Sequence, residues 1–544
     1  MSSTPLSFFT IDLGTATTSV SLVAPCADRF RLLAAAAAPA GADVEALLED
    51  VVARVEATEP GLLDRPGAWR GWARLVSVTS WPRRVVCAGA VEAVVADLER
   101  AFLGAGWEVV GRIVGRGFDP LTATELCLDP TVAALVLATS SEPGPDERAA
   151  LPRLTACLAA AVWRRGDLPV LLCGPATGWG ADFPPGLVTR LPGPAHVDIS
   201  SDSPLRDALA DVVLSSADAP GAPASVPDDA GGDGRLGLRR STATLAALLD
   251  RRVETVDVGI SASSRTLAGP GGDVAHMVAA GAALVPSGAM LDDRDMESLT
   301  RWSTIRSDPD SIADRFRNLR LSPWRDVGGD GARLRMAGLR SALSRLDGLW
   351  RGADTRGGPP GGDLLICSGG SFAAIPPPAA ALAVVDGMRR PGAVTLFHDH
   401  ARLLGPIGTL PDEGDRRRLL ADLLDDLLLP LGSAIVAGES RAGTRHAATL
   451  RVTSQLLQQE IELEPGALRL VDLPPGVPAR VELQTREGAL LGVRARKLAL
   501  DVTGGLGGLL VDTREVPLKL PERSERRRAL LEAWERPVWA AWQT

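Results

Sequence analysis

Apolar positions near the start of the chain alternate with polar ones and stop at a glycine. Phe8, Phe9, Ile11 and Leu13 lead into Gly14 and Thr15, and the alternation resumes at Val20, Leu22 and Val23 after Thr17 and Thr18. A period of two interrupted by a Gly-Thr turn predicts a β-hairpin with a hydroxyl-rich tip. The same texture returns at residues 253–259, where Val253, Val256 and Val258 run into Gly259 and are followed by Ser261, Ala262, Ser263 and Ser264. Two look-alike hairpins so far apart predict a duplicated lobe.

Between them, helix-period segments at residues 91–103 and 151–163 alternate with strand-like runs at 133–137 and 169–172, the pattern of an α/β unit. Residues 217–237 are dominated by Ala, Pro, Gly, Asp and Ser, which predicts a flexible linker between the lobes. A second breaker cluster at 352–362 precedes the strand 363–367, the turn Ser368-Gly369-Gly370 and a helix from about residue 379. After Gly432 the runs become short and alternating and are cut by Pro-Gly turns, which predicts an all-β appendage. The expected organisation is a first lobe over 1–216, the linker, a second lobe over 238–432, a β domain over 433–521 and a tail helix over 522–544. The tail carries Leu530, Leu531, Trp534, Trp539 and Trp542 on a helical period broken at Pro537, and docking on the body is its simplest role.

Composition narrows the function classes. A chain of 544 residues with 45% hydrophobic and 23% charged residues folds into several globular domains. A net charge of −9 argues against nucleic acid or an anionic membrane as a general partner, since both select a basic face. Lys497 and Lys519 are the only lysines and tyrosine is absent, a bias with no single-site logic. Six cysteines without a CxxC pair suit a reducing compartment, and the absence of a basic leader or of about 18 consecutive apolar residues makes the cytoplasm the expected location.

The chemistry lies in the turns. An aspartate two residues before a glycine at a strand end suits phosphate. The carboxylate can hold hydrated magnesium, the glycine admits backbone N–H groups, and hydroxyls add donors. Asp12, Gly14, Thr15, Thr17 and Thr18 meet this description, Asp257 and Gly259 repeat it, and Ser368-Gly369-Gly370 supplies a bare turn against which a nucleoside can lie. No Ser-His-Asp order, G-x-S-x-G elbow or G-x-x-x-x-G-K turn appears.

Two phosphate turns followed by an adenosine turn resemble the actin, sugar-kinase and heat-shock chaperone superfamily. Within it the chain is most similar to the glutamate mutase accessory protein family, through Phe9 to Thr18, Leu103-Gly104-Ala105-Gly106, Val256-Asp257-Val258-Gly259 and Leu365 to Gly370. Further matching stretches are Pro391-Gly392-Ala393-Val394-Thr395-Leu396, Gly504 to Asp512 and Pro517-Leu518-Lys519-Leu520-Pro521. The resemblance implies an α/β, duplicated actin-like (ribonuclease H-like) two-lobed nucleotide-binding fold with an appended C-terminal β domain. It implies ATP and magnesium as cofactors and an adenosylcobalamin-dependent mutase as partner, with nucleotide-driven lobe closure as the mechanism. By the same resemblance Asp12 and Asp257 would hold the metal. Gly14, Thr15, Thr17, Thr18, Gly259, Ser261 and Ser263 would hold phosphates, and Ser368, Gly369 and Gly370 would flank the adenosine. Glu142, in the loop that follows residue 138, is the expected residue to orient a water.

The departures bear on turnover. Ser19 stands where the family carries a lysine, Ile260 replaces a glycine, and Ser264 replaces an aspartate. A β-branched residue does not readily take positive φ and crowds a phosphate. Weak hydrolysis or none is expected. The alternatives are a degenerate scaffold without ATP turnover and, ranked last, a small-molecule kinase. Outside these turns, His398 and His400 flank Asp399 but lack a third ligand, and Asp422, Asp425 and Asp426 are expected as the solvated face of a leucine-rich helix.

Overall fold

In a computed structural model of the chain, the described residues are 7–63, 66–115, 117–174, 179–193, 205, 209, 232–285, 293–325, 328–353, 361–437, 448–464, 466–491 and 493–543. The two predicted hairpins form, and each nucleates a sheet of one topology. In the first lobe Phe8–Leu13 pairs antiparallel with Thr17–Cys26, which pairs with Arg29–Pro39. On its other side Phe8–Leu13 runs parallel to Ala73–Val78, beyond which lies the short strand Gly232–Asp233. In the second lobe Val253–Val258 pairs with Ser263–Ala268 and then Val274–Ala279. It runs parallel to Leu364–Ser368, which is followed by Gly392–Asp399. Both lobes therefore have the strand order 3-2-1-4-5 of a ribonuclease H-like unit, and the pair makes an actin-like, two-lobed α/β fold. In both, the central strand is covered on either side, with Phe9, Ile11 and Leu13 buried in the first lobe and Glu254, Thr255 and Val256 in the second.

The alternating segments expected inside a single first lobe form a domain of their own, inserted between that lobe's fourth and fifth strands. Arg83–Gly89, Trp107–Val114, Val132–Ala138, Val170–Cys173 and Val188–Leu191 make a wholly parallel sheet of order 2-1-3-4-5. Helix Glu92–Gly104 covers one face, while Pro120–Leu128 and Pro145–Arg165 cover the other, giving two separate apolar cores. Parallel strands need crossover helices, and the helix-period segments supply them.

The expected C-terminal β domain is divided. Leu428–Val436, Leu509–Asp512 and Leu468–Val471 extend the second lobe's sheet to eight strands. Only Ala448–Ser454, Gln458–Leu463, Pro478–Leu491 and Val493–Thr503 form a separate antiparallel sheet. The physical cause is burial: Leu509, Leu510 and Val511 are all fully covered, because Leu510 faces the second lobe's core and Leu509 and Val511 face that of the appended sheet. Most of the linker expected over 217–237 lies outside the described residues. Its end does not behave as a linker, since Asp233 caps helix Gly234–Leu249 by accepting from the N–H groups of Arg235 and Leu236 at 2.8 Å each. The tail forms helix Ser524–Gln543, which runs through Pro537 and buries Leu531 and Val538. Among the described residues no helix is long and apolar enough to cross a membrane.

Two connections cross between the lobes. Helix Gly234–Leu249 leaves the first lobe and short helix Leu404–Gly408 follows the second lobe's fifth strand. They meet backbone to backbone, since a Cβ on Gly237 would strike the Gly405 carbonyl and one on Gly408 would strike that of Gly237. Only glycine permits this approach. Ser241 Oγ donates to the Leu404 carbonyl at 2.7 Å beside the crossing. The aspartates expected on a solvated face lie near it and join the lobes. Asp426 accepts both guanidinium branches of Arg31 at 2.7 Å and the Leu32 N–H at 3.0 Å, Asp422 accepts from the Phe30 N–H, and Asp425 faces Arg29. The opposite lobe's hairpin partly covers Asp422 and Asp426, while Asp425 stays exposed as the leucine period predicts.

Candidate functional site

The hairpin tips and the Ser368-Gly369-Gly370 turn converge on one cavity of about 890 Å³ between the lobes. Both tips have the same hydrogen bond: the Gly14 N–H donates to the Thr17 carbonyl at 2.8 Å, and the Gly259 N–H donates to that of Ala262 at 3.0 Å. They also touch one another, Thr15 Oγ1 lying 3.0 Å from Ser261 Oγ. A second contact across the cleft runs from Trp324 Nε1 to the Ala16 carbonyl at 3.4 Å. Gly369 has φ of +94°, and a Cβ there would strike Asp257 and the Val258 carbonyl, so this turn demands glycine.

Most of the residues expected to bind nucleotide face this cavity: Asp12, Gly14, Thr15 and Thr17 from the first lobe, and Asp257, Gly259, Ser261, Ser368, Gly369 and Gly370 from the second. Thr18 and Ser263 are buried beside it and do not line it, and Ser263 Oγ is occupied as a donor to the Ala282 carbonyl at 2.5 Å. Glu142 is exposed in the inserted domain, after strand Val132–Ala138, and is not among the lining residues. That strand belongs to the inserted sheet and not to the lobe that carries the cleft. Ile260 keeps a negative φ and packs against the second lobe's core, so the expected backbone conflict does not arise, but it also lines the cavity. Ser264 is fully buried in the sheet with its hydroxyl unpartnered.

Asp12, Asp257 and Asp399 line the cavity together with Arg235 and Arg402. Ser77 Oγ donates to Asp12 Oδ1 at 2.7 Å, and Arg402 Nη1 lies 3.6 Å from Asp12 Oδ2 while also contacting Thr17 Oγ1. Burial raises the Asp12 carboxyl above the ordinary carboxylate range, against the pull of Arg402 and Ser77. Burial lifts Asp257 to about 6, with Arg235 the strongest influence in the other direction. Asp399 rises to about 7, burial outweighing the N–H groups of Leu403 and Leu404 that it accepts at 2.9 and 3.3 Å. Burial first, then the neighbouring His400 and Arg402, push His398 down to about 4, leaving a neutral imidazole.

Arg235, Asp399 and Arg402 were not among the residues expected in the site. A signal for them exists in the sequence: Asp233-Gly234-Arg235-Leu236-Gly237 and Asp399-His400-Ala401-Arg402-Leu403-Leu404-Gly405 repeat an Asp, Arg-Leu, Gly order just after the fifth strand of each lobe. Trp539, from the tail, was not expected there either. It reaches the cavity wall, donates to Glu535 Oε2 at 3.0 Å and lies under the Arg333 guanidinium at 5.2 Å.

Magnesium held through water by Asp12 and Asp257 does not fit this arrangement well. Arg402 lies 3.6 Å from Asp12, and Arg235 and Arg402 both line the cavity, so a divalent cation between the carboxylates would be repelled by fixed positive charge. Among the described residues no cluster of three His, Cys, Asp or Glu side chains is placed to hold a metal.

No family model matches the chain, and no curated protein does. Solved structures align at low identity. The nucleotide-free structure of an acetone carboxylase is 13% identical over 85% of this chain and 81% of its own, with a TM-score of 0.29. Component A of the Acidaminococcus fermentans (R)-2-hydroxyglutaryl-CoA dehydratase is 9% identical over 77% and 98%, at 0.26. A nucleotide-free diol dehydratase-reactivating factor is 11% identical over 77% and 99%, at 0.29. At these scores the assignment of the fold rests on the duplicated strand order itself.

Proposed function

We propose that the chain binds ATP or ADP between its lobes and uses nucleotide-dependent lobe closure to act on a partner enzyme. One observation supports this above the others: two copies of one sheet bring two Asp-x-Gly hairpin tips and a Ser-Gly-Gly turn to a single interlobe cavity. Phosphates would lie against Gly14, Thr15, Thr17, Gly259 and Ser261, and the nucleoside against Gly369, Gly370 and the start of helix Asp330–Ala353. Closure would turn about the glycine crossing of Gly237 with Gly405 and Gly408, and a ligand touching both tips biases it because it binds the closed form better. The partner class suggested by the family resemblance is an adenosylcobalamin-dependent mutase. The setting is the cytoplasm, in keeping with six unpaired thiols.

Turnover is slow or absent in this reading. Glu142 does not line the cavity and Ser264 carries no carboxylate, which favours the scaffold alternative over a kinase. Calorimetric titration of the full chain with ATP and ADP tests the core of the proposal. Heat of binding with either nucleotide supports it, and none at millimolar concentration leaves only the scaffold. ATP-dependent reactivation of a mutase holding damaged cobalamin tests the partner, and its failure with nucleotide binding intact would remove the mutase alone.

A further inference from the structure

The two guanidiniums of the cleft occupy equivalent places in the duplicated fold. Arg235 stands two residues beyond the end of the first lobe's fifth strand, and Arg402 stands three beyond the end of the second lobe's. Each follows an aspartate whose carboxylate accepts N–H groups at the start of the next helix, Asp233 for the one and Asp399 for the other. Each also faces the opposite lobe. Arg402, from the second lobe's connection, meets Asp12 and Thr17 of the first, while Arg235, from the first lobe's connection, lines the same cavity as Asp257 of the second.

Both side chains are held. Arg235 is buried and donates to the Ser80 carbonyl at 3.3 Å, and Arg402 takes an uncommon left-handed backbone, φ +53°, that brings its guanidinium against Gly370 and the first tip. A guanidinium has five N–H donors. Arg402 uses one nitrogen on Thr17 and Asp12, and it lines the cavity between the first tip and the Ser-Gly-Gly turn.

The geometry points to a polyphosphate site whose counter-charge is built into the chain: Arg402 and Arg235 take the phosphate charge from the two lobes, and binding needs no divalent cation. The nucleotide part of this statement rests on the reading above, but the anion site does not. Arginine suits the task, since it keeps its charge when desolvated and bonds phosphate oxygens in pairs. A phosphate drawn to Arg402 competes with Asp12 for the same guanidinium. Removing the Asp12 carboxylate should therefore tighten anion binding, whereas a magnesium site would lose its ligand.

The experiment is calorimetric titration of the full chain with ATP and with inorganic tripolyphosphate, each in EDTA and in excess magnesium, repeated on Asp12→Asn. The expected result is an affinity for tripolyphosphate in EDTA within about threefold of that in magnesium, with tighter binding by Asp12→Asn in EDTA. Arg402→Ala should weaken binding in EDTA by about tenfold or more, the loss of one charge-assisted contact, and magnesium should recover part of it. Binding of both probes only with magnesium, or its loss in Asp12→Asn, overturns the inference whether or not Arg402→Ala folds. Tripolyphosphate binding in EDTA without ATP binding upholds the anion site and removes the nucleotide reading. No binding of either probe in either buffer removes both.

Discussion

The two hairpins share a register residue for residue, yet their interiors are sealed by opposite chemistry. In the first, Phe9 and Val20 are fully buried, and Phe9 packs against Trp69 and Trp72 with ring centroids 6.2 and 5.6 Å away. At the equivalent places of the second stand Glu254 and Arg265, also buried, whose Oε1 and Nε are 2.7 Å apart. Arg390 completes a bidentate contact to Glu254 at 2.6 and 2.9 Å, the Gly362 N–H donates to it at 2.9 Å, and Arg265 lies 4.2 Å over the Trp350 ring. Burial alone would raise the Glu254 carboxyl, but Arg265 and Arg390 hold it down to about 2. The strand order is thus indifferent to whether the covering layer is oil or a satisfied ion cluster. A buried charge in that layer needs a partner, and the Glu254 carboxylate has two guanidiniums and an N–H.

The comparison can be broken at several points. Phe9→Ala should have the largest effect, a loss of about 4 kcal/mol that does not vary with acid pH, because a cavity and lost transfer energy carry no proton. Denaturant unfolding at several pH values measures it. Glu254→Gln should cost about 3 kcal/mol at neutral pH, because Arg265 and Arg390 are then left to share the one carboxylate of Asp347. Its cost depends on pH with a definite sign. The folded carboxyl lies below its unfolded value of 4.5, so the stabilisation is full above 4.5 and is lost as pH falls towards 2. A cost that stayed constant between those limits would mean that the cluster acts by packing alone.

Between the lobes the effects are smaller. Ser261→Ala removes the contact with Thr15 and should change stability by about 1 kcal/mol or less while widening the cleft in solution scattering. An unchanged scattering profile would show that the tips do not hold the lobes together. Asp426→Asn should loosen the joint with Arg31 least of all, and its effect should fade with added salt because Arg31 is well exposed.

Recognition of the cleft from the residues was uneven for a physical reason. Asp12, Gly14, Asp257, Gly259 and Ser368 to Gly370 were legible because a strand followed by a glycine turn is local: periodicity and backbone freedom name it within a few residues. Glu142 was misplaced because a loop after an apolar strand looks the same in any parallel sheet, and nothing local says which sheet the strand will join. The backbone conflict expected of Ile260 does not occur, because the residue keeps a negative φ and packs against the second lobe's core at the edge of the cavity.

What the sequence determined by itself was each hairpin, its tip and the crossover helices, since alternation, helical period and glycine placement act between neighbours along the chain. It also determined that the pattern occurs twice. What only the tertiary structure decided was which charges meet. Asp422 and Asp426, polar positions on short helices, become joints because the other lobe's strand Arg29–Pro39 arrives over them. Arg402 meets Asp12 across 390 positions of chain because two glycine-crossed connections exchange sides of the cleft. A carboxylate shows its charge to any reading of the sequence. Its partner is set by long-range packing, and local propensity does not encode that.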